Sequence, residues 1–210
     1  MTTPTLVLFG DSILDNAPYT RPAPDSSAHL QRLLKEWTVQ RLAQDGAKRA
    51  STQFQLGQLK SRASVAVLSV GGNDALEHLG LLTQASASSG ALLGQLLGIA
   101  DDFEHKYASA VRAVAAEADR TVLCTIYEAP LEPAPYARVA RVPLAVLNDR
   151  IIRTASRLGV DVLDLRSVCT DPADFVLQIE PSAQGAKKIA AIADIVSGGA
   201  GLTTAGVYSA

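Results

Sequence analysis

Four apolar residues, Leu6-Val7-Leu8-Phe9, run straight into Gly10-Asp11-Ser12. A short, unbroken apolar run of this kind fits a strand buried on both faces. Gly10 frees the backbone for a tight turn at its end. A strand buried on both faces must be covered on both sides, so this stretch already points to a layered α/β chain rather than an open antiparallel sheet.

The rest of the chain repeats the theme. After an irregular, Pro-bearing stretch over 12–25, Leu30, Leu33 and Leu34 predict one helix face over 27–35. Trp37 to Ala43 alternates as a half-buried strand does and ends in Gln44-Asp45-Gly46, a turn signal. A helix over 51–59 leads to an apolar strand over 65–70, closed by Gly71-Gly72-Asn73-Asp74. Residues 75–118 read as helical, interrupted near 86–90. A fourth strand is expected over 121–127, followed by a loop over 128–135 that holds three prolines. A helix over 141–158 stops at Gly159, a fifth strand covers 160–165, and a last helix covers 183–195 with Ser182 as its cap. Strands alternating with helices predict an α/β fold with a five-stranded parallel sheet covered on both faces. One domain over 1–196 is expected, then a tail over 197–210 rich in Gly, Ala, Ser and Thr.

Composition narrows the function classes. With 48% apolar and 19% charged residues in a chain of 210, a globular domain with a substantial core is expected. The net charge of −2 and the lack of a long basic run argue against a nucleic-acid groove. Cys124 and Cys169 are too few for a disulfide framework or a zinc site, and their apolar settings suggest reduced, buried thiols. Met1-Thr2-Thr3-Pro4 resembles no secretion signal, and no stretch reaches membrane-span length without polar breaks, so a cytoplasmic protein is expected. No cofactor or metal is called for. Asp11, Asp15, Asp74 and Glu180 could pool enough charge to hold a cation, but no ligand spacing supports it.

In a parallel sheet the carboxyl ends of the strands gather on one edge, where ligands bind. Here those ends carry Gly10-Asp11-Ser12, Asp45-Gly46 and Gly72-Asn73-Asp74. A serine hydroxyl, an amide beside a glycine and an asparagine amide would then share one space. Acyl transfer asks for such a set: an oxygen nucleophile and donors aimed at a developing oxyanion. Tyr127, Glu128 and Tyr136 fall near the fourth carboxyl edge as further lining candidates. Of the histidines, His29 and His105 lie in helices, and only His78 falls near the edge.

Gly10-Asp11-Ser12-Ile13, Asp45-Gly46-Ala47 and Gly71-Gly72-Asn73-Asp74 resemble the first three sequence blocks of the SGNH, or GDSL, hydrolases. Pro181-Ser182-Ala183-Gln184-Gly185 resembles the segment after that family's last block. The likeness spans residues 5–196 in order. It implies a flavodoxin-like three-layer fold and serine hydrolysis of esters, thioesters or acetylated sugars. By the resemblance Ser12 would be the nucleophile, and the Ser12 and Gly46 amides with the Asn73 side chain would form the oxyanion hole. Asp11 and Asp74 would brace the loops.

The last block departs from the family pattern, Asp-x-x-His-Pro-Ser. Leu177 stands in the acid's place and Glu180 in the histidine's. The double change is chemically coherent. In the usual triad an aspartate stabilises the imidazolium formed when histidine takes the proton. A glutamate that takes a proton becomes neutral, so an adjacent acid would have nothing to stabilise. Two readings follow. One is an esterase for short acyl or acetyl esters with Ser12 as nucleophile and a half-buried Glu180 as base, Asp171 and Asp174 being available to orient it. The other is an inactive protein of the same fold that binds a small polar or acyl ligand.

Overall fold

The computed structural model describes residues 3–198, so the sequence beyond them, including most of the Gly- and Ala-rich tail, lies outside the described residues. Five parallel strands, β1 (Thr5–Phe9), β2 (Thr38–Arg41), β3 (Ala63–Leu68), β4 (Ala118–Cys124) and β5 (Asp161–Leu163), form one sheet in the order β2-β1-β3-β4-β5. The fold class expected from sequence, an α/β three-layer arrangement with a five-stranded parallel sheet, is the observed one.

The pleat of each strand sorts its side chains between two cores. Leu6 and Leu8 of β1 pack with Val65 and Val67 of β3 under Leu30 of α2 (Ser26–Leu33), Ile189 of α8 (Ala183–Ile189) and Ile192 of α9 (Ile192–Val196). Val7 and Phe9 point the other way. They meet Phe103 and Tyr107 of α5 (Ser89–Ala116) and Leu147 and Ile151 of α6 (Ala134–Leu158). Leu30 and Leu34 are buried as expected, whereas Leu33 is exposed.

Several boundaries differ from the expectation, each for a local reason. β3 stops at Leu68: the Ser69 N–H still donates to the Phe9 carbonyl at 3.1 Å, while its hydroxyl bonds the turn after β1. β4 ends at Cys124, after which Thr125 and Asp164 join through their side chains. Asp164 caps the short helix α7 (Leu165–Val168), which cuts β5 to three residues. Helix α6 begins seven residues earlier than 141. Pro135 falls in its first turn, where a missing N–H leaves no bond unmade, and Pro143 is carried inside the helix. The last helix is split into α8 and α9. A two-stranded hairpin, β6 (Phe175–Val176) with β7 (Glu180–Pro181), precedes it and was not foreseen.

Candidate functional site

The order β2-β1-β3 places the reversal of winding between β1 and β3, where doubly wound sheets open a crevice at their carboxyl edge. The turns after these two strands are pressed together. Gly10 has φ +131, and a Cβ there would stand 2.1 Å from Ser69 Oγ, so only glycine lets the turn form. The Ser69 hydroxyl donates to Asp11 Oδ1 at 2.9 Å and accepts the Asp11 N–H at 3.2 Å. The Gln55 amide, on α3 (Thr52–Leu56), clamps Gly10 from the other side. It donates to the Gly10 carbonyl at 2.8 Å and accepts the Gly10 N–H at 2.9 Å. Asp11 Oδ1 also accepts the Ile13 N–H at 3.2 Å. Burial of this carboxyl pushes its pKa up to about 7, against the pull of those hydrogen bonds.

Ser12 is almost buried, and among the described residues its N–H has no partner. Asn73 lies on α4 (Gly72–Leu76), the helix that follows β3. Its amide donates to the Ala47 carbonyl at 3.0 Å, tying α4 to the turn after β2 and leaving its second hydrogen free. Asp74 is buried and engaged elsewhere. It accepts the Arg49 N–H at 3.1 Å and pairs with the Arg49 guanidinium at 3.3 Å, which makes it a brace for the same turn.

Glu180 arrives from β7. The connection Leu177-Gln178-Ile179 turns with φ +49 at Leu177 and +72 at Gln178, a left-handed pair that a leucine adopts at a penalty. Tyr127 Oη donates to the Ile179 carbonyl at 2.7 Å, and Gln178 Oε1 accepts the Glu132 N–H at 2.7 Å. Glu180 is half-buried, which raises its pKa above the ordinary carboxylate value. The Ser12 hydroxyl beside it opposes the rise and the nearby Asp45 charge adds to it. The Ser12 hydroxyl approaches the Glu180 carboxylate, whose Oε2 is buried without a partner among the described residues.

Asp11, Ser12, Asn73 and Glu180 therefore line one cavity of about 120 Å³, together with His78, Tyr127, Glu128 and a wall of leucine, isoleucine and alanine side chains. Gly46 is not in that wall. It is an exposed turn residue with φ +75 and open space around it. Nor do Asp171 and Asp174 orient Glu180. Asp174 is buried and taken up by the Gln184 amide at 2.8 Å, Lys188 Nζ at 2.7 Å and the Asp171 N–H at 3.0 Å. Tyr136 bonds the Leu79 carbonyl and lies outside the cavity wall. Asp15 is occupied by Arg41 at 2.9 Å, and among the described residues no three His, Cys, Asp or Glu side chains converge as metal ligands would.

Sequence reasoning missed Gln55 and Tyr19. Gln55 carried no signal beyond being a polar residue in an amphipathic segment. Tyr19, on α1 (Ala17–Thr20), donates to Asp45 Oδ2 at 2.6 Å and feels the Glu180 charge. It lay in a Pro-bearing stretch whose path could not be read locally.

The comparison that decides the family is a profile match: the GDSL-like Lipase/Acylhydrolase family profile covers residues 8–188. The chain belongs to this family. Solved structures agree on the fold at low identity. An extracellular lipase from Streptomyces rimosus superposes with a TM-score of 0.71 at 13% identity, over 92% of this chain and 99% of that one. Phospholipase A1 from Streptomyces albidoflavus NA297 follows with 0.70 at 15% identity, over 95% and 100%. A catalytic mutant of an acetylxylan esterase from Geobacillus stearothermophilus gives 0.63 at 15% identity, over 93% and 94%. No curated protein sequence matches the chain. Membership of the GDSL-like family makes the chain a hydrolase of ester type, and among the described residues no helix is long and apolar enough to cross a membrane.

Proposed function

We propose that the chain is a carboxylic ester hydrolase in which Ser12 is the nucleophile and Glu180 takes the role that histidine fills in the family pattern. The observation that carries this reading is the approach of the Ser12 hydroxyl to a half-buried carboxylate in a cavity wall that also holds Asn73. Ser12 Oγ adds to the ester carbonyl while its proton passes to Glu180. The carbonyl electrons move onto oxygen, and the Ser12 N–H and the free Asn73 Nδ2–H donate hydrogen bonds to the resulting oxyanion. Collapse expels the alcohol, which takes the proton back from Glu180. A water then gives its proton to Glu180 and adds to the acyl-serine, and collapse releases the carboxylic acid as Ser12 Oγ takes that proton back from Glu180. Asp11 and Asp74 hold the two turns in place. Gly46 belongs to the turn that Asn73 grips.

A carboxylate of ordinary pKa is a weak base toward a serine hydroxyl at neutral pH. Partial burial and the Asp45 charge both raise the affinity of Glu180 for a proton, which moves it in the useful direction. The free, buried Cys124 and Cys169 are compatible with a cytoplasmic location, which is part of this reading.

Hydrolysis of p-nitrophenyl acetate and butyrate tests it. Ser12→Ala is expected to abolish turnover, and Glu180→Gln to lower kcat by about 10²- to 10⁴-fold, the usual contribution of a positioned base. Turnover that survives both substitutions would discard the assignment. The alternative is a pocket that binds without turnover. It is favoured by Leu177, whose side chain is 75% exposed, so that position offers the base no support. A serine-directed organophosphonate separates the two: an adduct on Ser12 by intact mass supports the enzyme, and ligand-induced thermal stabilisation with neither adduct nor turnover supports the binder.

A further inference from the structure

The ester-hydrolase reading leaves both halves of the substrate open, and the cavity constrains each. Beyond Ser12 its wall is built by the segment after α4 and by the facing sides of the two longest helices. Leu76, Leu82, Ile99, Ala140, Leu144 and Leu147 all contribute, so this part of the wall offers almost only aliphatic carbon, the surface an acyl chain would cover. A dry cavity of roughly 150 Å³ can hold a benzene-sized molecule, about six carbons, and the present cavity of about 120 Å³ is of that class. An acetyl group would leave most of such a wall unfilled.

The charge around the serine points the other way. Asp11 and Glu180 line the cavity, and Asp45 and Asp15 lie beside them, joined where the Asp45 N–H donates to Asp15 Oδ2. The cations nearby are already matched. Arg141, in the cavity wall, pairs with Glu128 at 3.0 Å. Arg41 bridges Asp15 and Asp25 at 2.9 and 3.0 Å, and Lys48 pairs with Glu77. Among the described residues in the wall, no unpaired Lys or Arg is left to receive an anion.

We infer that the site takes esters of short-to-medium aliphatic acids, of about six carbons, with uncharged alcohols, and that it discriminates against acetyl groups and against leaving groups bearing phosphate, sulfonate or carboxylate. This rests on the hydrolase reading above. Each methylene that enters the wall should raise kcat/KM by up to about fourfold, the equivalent of burying one CH₂. A fixed anion on the leaving group meets Glu180 and Asp45 and raises KM, most strongly at low ionic strength.

The test is a p-nitrophenyl ester series from acetate to dodecanoate. kcat/KM is expected to climb by about 10²-fold from acetate to hexanoate, four methylenes at up to about fourfold each, and to fall beyond octanoate. Ala140→Trp, which fills the wall, should lower the hexanoate-to-acetate ratio by more than tenfold. Leu144→Ala, which enlarges it, should move the optimum to longer chains. Both variants are checked for folding by circular dichroism. The leaving group is tested with 4-hexanoyloxy-3-nitrobenzenesulfonate, whose KM should exceed that of the p-nitrophenyl ester at least tenfold in low salt, with the gap closing as salt is added. A chain-length ratio below tenfold in a protein that does hydrolyse acetate would overturn the acyl half while leaving the hydrolase reading intact. Equal KM for the charged and neutral esters would overturn the charge half. If no ester is turned over, the hydrolase reading fails and the cavity is judged by binding. Methyl hexanoate raising the thermal midpoint of the wild type, but not of Ala140→Trp, supports it, and no shift refutes it.

Discussion

Two carboxyls in different environments flank Ser12: Glu180, the proposed base, and Asp11, which braces the turn. Glu180 is half-buried and stands near Asp45, and both raise its pKa above the ordinary value; as the proposed base it would work only when ionised. kcat/KM is therefore expected to rise with pH along a limb centred above the free glutamate value. Asp45→Asn removes a neighbouring negative charge and should move that limb to lower pH. A pH–rate profile of both proteins checks this, and an unmoved limb would detach Asp45 from the base. Asp11 is deeply buried and braced by Ser69 and the Ile13 N–H. At this scale the sequence was partly legible. Ser12, Asn73 and Glu180 could be named from motif position, because strand ends of a parallel sheet share an edge. Gly46 could not be judged, since whether a turn amide faces inward depends on how the turn is held.

Each functional side chain is delivered by an element whose shape depends on a partner distant in sequence. The turn after β1 exists because Ser69 and Gln55 grip it. Gly10→Ala would drive a Cβ to 2.1 Å from Ser69 Oγ and 2.8 Å from its backbone nitrogen, at φ +131. A loss of at least about 3 kcal/mol is expected from the clash and the disallowed backbone region together, measured by urea unfolding. The hairpin carrying Glu180 shows the opposite kind of strain. Leu177 sits at φ +49 and is solvent-exposed, so Leu177→Asn, which tolerates that region, should raise stability by about 0.5–1 kcal/mol. An unchanged unfolding midpoint would mean that the hairpin stores no strain there. The hairpin itself escaped the sequence reading because its strands are two residues each and its turn lacks the Asn-Gly or Asp-Gly signature. Helix α6 was mistaken at its start for the converse reason: prolines were read as breakers, yet one of them sits in the first turn, where proline does no harm.

For the molecule as a whole, two buried carboxyls set opposing limits on stability. Burial lifts the Asp11 pKa from 3.8 to about 7 in the folded state, so the folded chain holds that proton more tightly than the unfolded one. The resulting stabilisation is complete below about pH 4 and disappears as pH rises toward 7, which amounts to up to about 4 kcal/mol. Asp174 behaves in the reverse sense. Burial alone would raise it, but Lys188, the Asp171 N–H and Gln184 hold it below 3.8, so its contribution is present above that value and is lost as pH falls through the lower one. The thermal midpoint should therefore peak in mildly acid solution and decline on both sides. Asp11→Asn should flatten the alkaline side. Lys188→Met, which removes the ion pair at 2.7 Å and leaves Asp174 only the Gln184 amide and the Asp171 N–H, should lower stability at neutral pH and shrink the loss on the acid side. A midpoint independent of pH between 5 and 8 in the wild type would refute the role given to Asp11. What the sequence determined by itself is the layered sheet and the strand ends at its working edge, because buried strands announce themselves as apolar runs and motif blocks sit where those runs stop. Which residues of those ends actually share a cavity was decided by tertiary structure alone. The grip of Ser69, Gln55 and Asn73 on turns some 26 to 58 residues away is a contact between segments that carry no local trace of each other.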